Sequence, residues 1–79
     1  MYKVFQKSSW DYHTHEHYEI NHEVQFFDTS RQAYEYLLNL ERKNKGFLDY
    51  NGTELYSNTD FYTLLLGSKA IEYGIAYVE

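Results

Sequence analysis

Apolar and polar residues alternate most clearly between residues 17 and 26. One face of an extended segment would carry Tyr18, Ile20, His22, Val24 and Phe26. The other face would carry His17, Glu19, Asn21, Glu23 and Gln25. A side-chain period of two predicts a half-buried antiparallel strand. A shorter β-prone run over residues 2–7 predicts a first strand, which residues 8–11 would end as a turn.

The period changes after residue 28, where a run of oxygen-bearing side chains precedes an apolar stripe. Thr29 is followed three residues later by Gln32, which is the spacing of a capping box. The pattern predicts a helix over residues 30–44 that stops at Gly46. Its apolar stripe consists of Ala33, Tyr34, Leu37, Leu38 and Leu40.

The second half of the chain predicts a hairpin and a final strand. Asn51-Gly52 tolerates the positive φ angles of a type I′ turn, so we expect a two-residue hairpin with Asp49 opposite Glu54. Residues 60–66 fit a short helix or a strand, and residues 70–78 predict a last strand well inside the sheet. The expected fold class is therefore α+β, an antiparallel sheet of four to five strands with one amphipathic helix packed on one face. A short second helix completes it if residues 60–66 are helical.

Length and composition favour binding over catalysis. The chain has 79 residues and no cysteine, so we expect a single domain over residues 1–79, without disulfides or thiol chemistry. A cleft that encloses a small molecule would compete with the core for the same few apolar side chains. We therefore expect no enzyme activity and no cofactor. Because no long apolar run is present, we expect a cytoplasmic protein without membrane contact.

Charge and aromatic content indicate the kind of partner. The net charge of −5 disfavours direct binding to nucleic acid, which needs clustered lysine and arginine, and favours a protein partner with a basic surface. Ten of the residues are tyrosine. Tyrosine is frequent in protein interfaces, although each one equally suits a small core.

Three histidines at alternate positions form the sharpest local cluster, His13-Thr14-His15-Glu16-His17. In an extended segment their imidazoles would share one face, and two such groups can share a zinc ion. A complete site needs a third or fourth ligand, for which His17, Glu19 or His22 could serve, although His22 would point to the opposite face of the strand. The other interpretations are a solvated polar segment and a pH-sensitive contact surface. His13, His15 and His17 are thus weak candidates for metal ligands, and we predict no metal site.

In overall character the chain resembles the small acidic proteins with which phages block host defence complexes, the anti-CRISPR and anti-restriction inhibitors. The shared features are a short, acidic, cysteine-free and tyrosine-rich domain with an alternating sheet and one amphipathic helix. The resemblance implies a non-catalytic inhibitor or regulator that blocks a nucleic-acid-handling complex in the host cytoplasm. The expected contact residues are His17, Glu19, Glu23, Asp49, Glu54 and Tyr56. The alternatives are a metal-binding module built on the histidines and a small structural or oligomerising phage protein.

Overall fold

The computed structural model describes residues 1–19 and 23–79. These residues form one sheet and one helix, in the chain order β1 (Tyr2–Asp11), β2 (Val24–Phe27), α1 (Ser30–Asn44), β3 (Phe47–Glu54), β4 (Thr59–Leu66) and β5 (Lys69–Tyr77). The spatial order is β2-β1-β5-β4-β3, and all neighbouring strands are antiparallel. The predicted α+β fold is confirmed, with β5 at the centre of the sheet as expected. No helix in the described ranges is long and apolar enough to cross a membrane.

Helix α1 begins at the predicted capping box and packs on one face of the sheet. The Thr29 hydroxyl accepts a hydrogen bond from the backbone N–H of Gln32 at 3.1 Å, and the Gln32 side chain accepts one from the backbone N–H of Thr29 at 3.3 Å. Ala33 and Leu37 are fully buried. They complete a core with Val4, Leu64, Tyr73 and Ile75 of the sheet. Removal of these side chains from water supplies most of the stability of so small a domain.

The helix ends where predicted, but through a different residue. Lys45 adopts the left-handed conformation, with φ of 54°, and the N–H of Gly46 donates to the carbonyl of Glu41 at 2.8 Å. Glycine is required at position 46 because the backbone passes close to β4 there. A Cβ at this position would lie 2.6 Å from the backbone oxygen of Leu65, so only glycine lets the chain pass this close to β4.

The predicted two-residue hairpin at Asn51-Gly52 is wrong, because these residues form a β-bulge inside β3. The register with β4 shifts between Tyr50 and Gly52, and Gly52 has φ of 116°. The chain reverses later, over residues 55–58, where Asn58 has φ of 48°. A positive φ suits a bulge as well as a turn, and the longer strand gains more backbone hydrogen bonds with β4.

Asp49 and Glu54 are therefore not cross-strand neighbours. They lie on the same strand, where Asp49 pairs with Thr63 and Glu54 pairs with Thr59. The prediction that Asp49 lies opposite Glu54 is therefore wrong.

One strand boundary also differs from the prediction, and one open alternative is decided. Residues 8–11 continue β1 instead of forming a turn, because a bulge between Gln6 and Ser8 keeps the strand paired with β5. Residues 59–66 form β4, so the strand interpretation of residues 60–66 is correct and the short helix is wrong.

The strand predicted around residues 17–26 appears as the short strand β2. Residues 20–22, including the predicted inward-facing His22, lie outside the described residues. Val24 and Phe26 were expected on the buried face, but they are 45% and 55% exposed. Phe27 packs against the core instead, because the register with β1 places it beside Tyr2 on the side of α1.

Candidate functional site

The sheet face opposite α1, which we call the open face, carries many apolar side chains. Strand pairing arranges its residues in four rows that run across the strands. Row one contains Phe26, Lys3, Ala76, Thr59 and Glu54, and row two contains Val24, Phe5, Gly74, Phe61 and Gly52. Row three contains Ser8, Glu72, Thr63 and Asp49, and row four contains Trp10, Ala70, Leu65 and Phe47. In the part of the chain that the structure describes, no helix or strand covers this face.

Two phenylalanines form the aromatic centre of the open face. The ring of Phe5 lies directly on Gly74, where any Cβ would overlap it. Phe5 and Phe61 meet edge to face, with their ring centroids 6.4 Å apart. Row two therefore presents a continuous aromatic strip across β1, β5 and β4.

Two lysines of β1 extend over these rings. Lys3 Nζ lies 5.4 Å from the centroid of Phe5, and Lys7 Nζ lies 4.6 Å from the centroid of Phe61. Lys7 also forms an ion pair of 3.5 Å with Glu72. Such cation–π contacts are worth about 0.5–1 kcal/mol at exposed sites. Both lysines of β1 thus reach over the aromatic centre of the open face, Lys3 above Phe5 and Lys7 above Phe61 of β4.

The bulge residue Asn51 adds a polar group to row three. Its side-chain amide donates to the hydroxyl of Thr63 and, at 3.3 Å, to the carboxylate of Glu72. Glu72 is thus held by Lys7 from one side and by Asn51 from the other. Row three is a connected polar band between the apolar rows two and four.

The exposed acids Asp49 and Glu54 lie on the far side of the open face, on the edge strand β3. Neither forms an ion pair with a lysine or arginine of residues 1–19 or 23–79. Their β4 partners are separated by four positions, which corresponds to roughly 13 Å along the strand. The lysines of the open face are therefore carried by β1, and its exposed acids are carried by β3.

The turn between β3 and β4, which we call the hairpin tip, consists of residues 55–58. Leu55 is 83% exposed and Tyr56 is 101% exposed relative to a free residue. The hydroxyl of Ser57 donates to the carboxylate of Glu54 at 3.1 Å, and its N–H donates to the Glu54 carbonyl at 3.3 Å. A leucine and a tyrosine are thus displayed side by side on an ordered turn.

The structure brings together three of the six predicted contact residues. Asp49, Glu54 and Tyr56 all belong to the hairpin of β3 and β4. Of the predicted polar strand face over residues 17–23, the structure describes residues 17–19 and 23, which lie outside the named strands. His17 forms an isolated bridge with Trp10, and β2 begins at Val24. Glu19 is exposed and directly precedes the undescribed segment.

Glu23 lies on the side of the sheet that packs against α1. Burial raises the pKa values of the Tyr36 and Tyr73 phenols, and the nearby Glu23 carboxylate adds to both effects. Glu23 therefore belongs with the helix face and not with the acids of the hairpin.

The histidines do not share a strand face. Residues 12–14 form a turn, which the Asp11 carboxylate stabilises by accepting the N–H groups of His13 (2.8 Å) and Thr14 (3.0 Å). These two hydrogen bonds hold the pKa of Asp11 below its usual value. His15 has φ of 61°, and His17 pairs with Trp10 in an isolated bridge. Within the described ranges, no three histidine or acidic side chains are arranged to hold a metal ion.

Sequence reasoning missed the residues of the open face. Phe5 and Lys7 alternate within the predicted first strand, and that alternation was the available signal. The sequence did not reveal Phe61, because residues 60–66 also fitted a helix. It did not reveal Trp10, because residues 8–11 resembled a turn.

No protein-family model, curated protein or solved structure matches this chain. Its function is therefore inferred from the described surface.

Proposed function

We propose that this protein is a small non-catalytic inhibitor or regulator that binds a protein partner through its hairpin tip. The observation that carries the proposal is the full exposure of Tyr56 beside Leu55. A tyrosine ring offers a large contact area at the cost of only two side-chain rotations, and such rings are frequent anchors of interfaces. The turn is already held by Ser57, so binding would order little new structure.

Charge favours a partner with a basic surface. Glu54 stands at the base of the tip, Asp49 lies further along the same strand, and the chain carries a net charge of −5. Complementary charge mainly raises the association rate and is screened by salt. Two exposed acids on one strand are few for a mimic of the DNA backbone, so the aromatic anchor carries most of the affinity in this proposal.

In its more specific form, the partner is a nucleic-acid-handling complex of a host, and the protein is a phage-encoded inhibitor that acts in the host cytoplasm. The small acidic domain and the position of its acids beside an aromatic anchor support this form. Occupation of a basic, nucleic-acid-binding surface would inhibit without any chemical step.

Affinity capture from a bacterial lysate with quantification of the retained proteins tests the proposal, followed by measurement of Kd with the purified partner. Tyr56→Ala should weaken binding by about 30-fold, since an anchor residue contributes roughly 2 kcal/mol or more. Tyr12→Ala is the matched control, because Tyr12 is 55% exposed and lies at the opposite end of the sheet, where its N–H donates to Ser68. Binding should also weaken as salt is raised. Equal retention by both variants, or no retention by the wild type, would refute the role of the tip.

A further inference from the structure

We infer that the open face is the interface of a symmetric homodimer, in which two copies stack sheet against sheet about a two-fold axis parallel to β5. The dimer leaves Tyr56 of the hairpin tip free, whereas Glu54 would be available to a basic partner only in the dissociated monomer. The dimer follows from the order of rings and charges along the four rows.

The apolar groups of the open face reach its outer strands as well as its centre. Val24, Phe26 and Phe47 are 45%, 55% and 60% exposed. Val24 lies beside Phe5 and Phe26 lies beside Lys3, whereas Phe47 lies beside Leu65 in row four. Exposed apolar groups in two rows on one face of a small domain mark an interaction surface. Sheets with an apolar outer face are stably covered by a second sheet at about 10 Å.

A two-fold axis along the central strand makes the rows complementary to themselves. Because β1 and β4 lie on either side of β5, the rotation places β1 of one copy over β4 of the other and keeps each row opposite itself. In row two, Phe5 then faces Phe61 of the second copy. In row four, Trp10 faces Leu65 of the second copy. The apolar rows thus meet each other, and so do the polar rows.

The same rotation pairs opposite charges. In row one, Lys3 comes beside Glu54 of the second copy, because β3 is the strand next to β4. This pair occurs twice in the dimer. An axis perpendicular to the strands would instead place β1 over β1 and reverse the rows, so that the apolar row two would face the polar row three. The order of rows and charges therefore selects the parallel axis.

Glu72 of each copy lies near the axis in this arrangement. Each Glu72 is already paired with Lys7 at 3.5 Å and accepts from Asn51 at 3.3 Å. Two glutamates and two lysines therefore meet without net charge. Buried ion pairs add little stability because of their desolvation cost. We therefore expect the apolar rows to supply the affinity and the polar rows to fix the orientation.

The size of the face fits a dimer that dissociates on dilution. With strands about 4.8 Å apart and rows about 6.7 Å apart, the face measures about 20 by 25 Å, or roughly 1,000 Å² for the two copies together. This is the lower end of the range for specific interfaces. The hairpin tips lie beyond row one, so both stay free and project from the same end of the dimer, which suits bivalent binding.

Sedimentation over a dilution series, together with native mass spectrometry, tests the dimer. The wild type should shift from a mass of 9.6 kDa to twice that value as its concentration rises. Lys3→Glu and Glu54→Lys should each weaken self-association at least about tenfold, because each puts two like-charged pairs at the interface. An equimolar mixture of the two variants should form mixed dimers with near wild-type affinity, since both pairs are then complementary.

Lys43→Glu and Glu35→Lys are the matched controls, because they reverse the same charges on exposed positions of α1 and should leave self-association unchanged. The inference is overturned if the wild type stays monomeric at every concentration, or if both open-face variants dimerise normally. A mixture without preference for mixed dimers would overturn the parallel axis.

Far-ultraviolet circular dichroism checks that each charge reversal folds. Lys3→Gln and Glu54→Gln remove the attraction without adding repulsion, and unchanged dimerisation of both would equally count against the interface. Lys3→Glu, as a monomer, should still bind a partner through Tyr56, so failure of the dimer and failure of the hairpin tip are distinguishable.

Discussion

Replacement of Gly74 by alanine tests how tightly Phe5 covers the centre of the open face. A strand glycine normally gains about 0.5–1 kcal/mol of stability when it becomes alanine. At Gly74 the new methyl group would overlap the Phe5 ring, which would have to give up its contacts with Phe61 and Lys3. Overpacking of this kind costs about 1–3 kcal/mol, so Gly74→Ala should be destabilising by about 0.5–2 kcal/mol.

The sign should reverse once the ring is absent. In a Phe5→Ala background, Gly74→Ala should be stabilising by about 0.5–1 kcal/mol, because only the backbone effect remains. The coupling energy between the two positions should therefore be about 1–3 kcal/mol.

Urea denaturation, at one low protein concentration so that self-association does not contribute, measures this cycle. In thermal unfolding, a change of 1 kcal/mol corresponds to about 4–8 °C in Tm for a domain of this size. Additivity of the two substitutions within about 0.5 kcal/mol would refute the contact between Phe5 and Gly74.

Three further expectations concern the core, the helix cap and alkaline pH. Leu37→Ala should lower the free energy of unfolding by about 2–5 kcal/mol in urea denaturation, since Leu37 is fully buried and the site would leave a cavity. Thr29→Ala should cost about 1 kcal/mol in the same assay by removing the capping box, and Thr29→Ser should restore most of it. Burial, with a smaller contribution from Asp60, raises the pKa of Tyr62 from 10.0 to about 12, so the folded state holds this proton more tightly. Stability should be complete below pH 10 and fall between about pH 10 and 12. Tyr62→Phe should reduce that fall, and an identical pH profile for the variant would refute the assignment.

Local signals in the sequence were sufficient for the helix and the central strand. The capping box at Thr29, the apolar stripe around Leu37 and the alternation over residues 70–78 each specify structure within a few residues. For that reason α1 and β5 lie where they were predicted. The hairpin could not be placed in this way, because Asn51-Gly52 has the same local preference in a bulge as in a turn. Only the pairing of β3 with β4 decides between them.

The candidate site was predicted in part for a related reason. The predictions for Glu54 and Tyr56 depended on a hairpin in this region. The hairpin is present, and its turn lies a few residues later than expected. The prediction for His17 depended on a continuous strand, which the turn at residues 12–14 and the positive φ of His15 interrupt. The exposure of a side chain depends on which helix or strand covers it. The sequence alone does not predict which elements cover Phe5 or Phe61.

Two bulges decide what the open face contains. Phe5 and Trp10 are five positions apart, so in a regular strand they would point to opposite faces. The bulge between Gln6 and Ser8 places both on the open face.

The same reasoning applies to Asp49 and Glu54, which are also five positions apart and share the open face only because Asn51 is an extra residue in β3. Each bulge residue then projects a polar group, the Lys7 ammonium or the Asn51 amide, toward Glu72. Bulges that re-aim side chains in this way are typical of functional sheet faces. The bulge in β1 places Phe5 and Trp10 on the open face, and the bulge in β3 places Asp49 and Glu54 there. Both the self-complementary rows and the charge difference between β1 and β3 therefore depend on these two bulges.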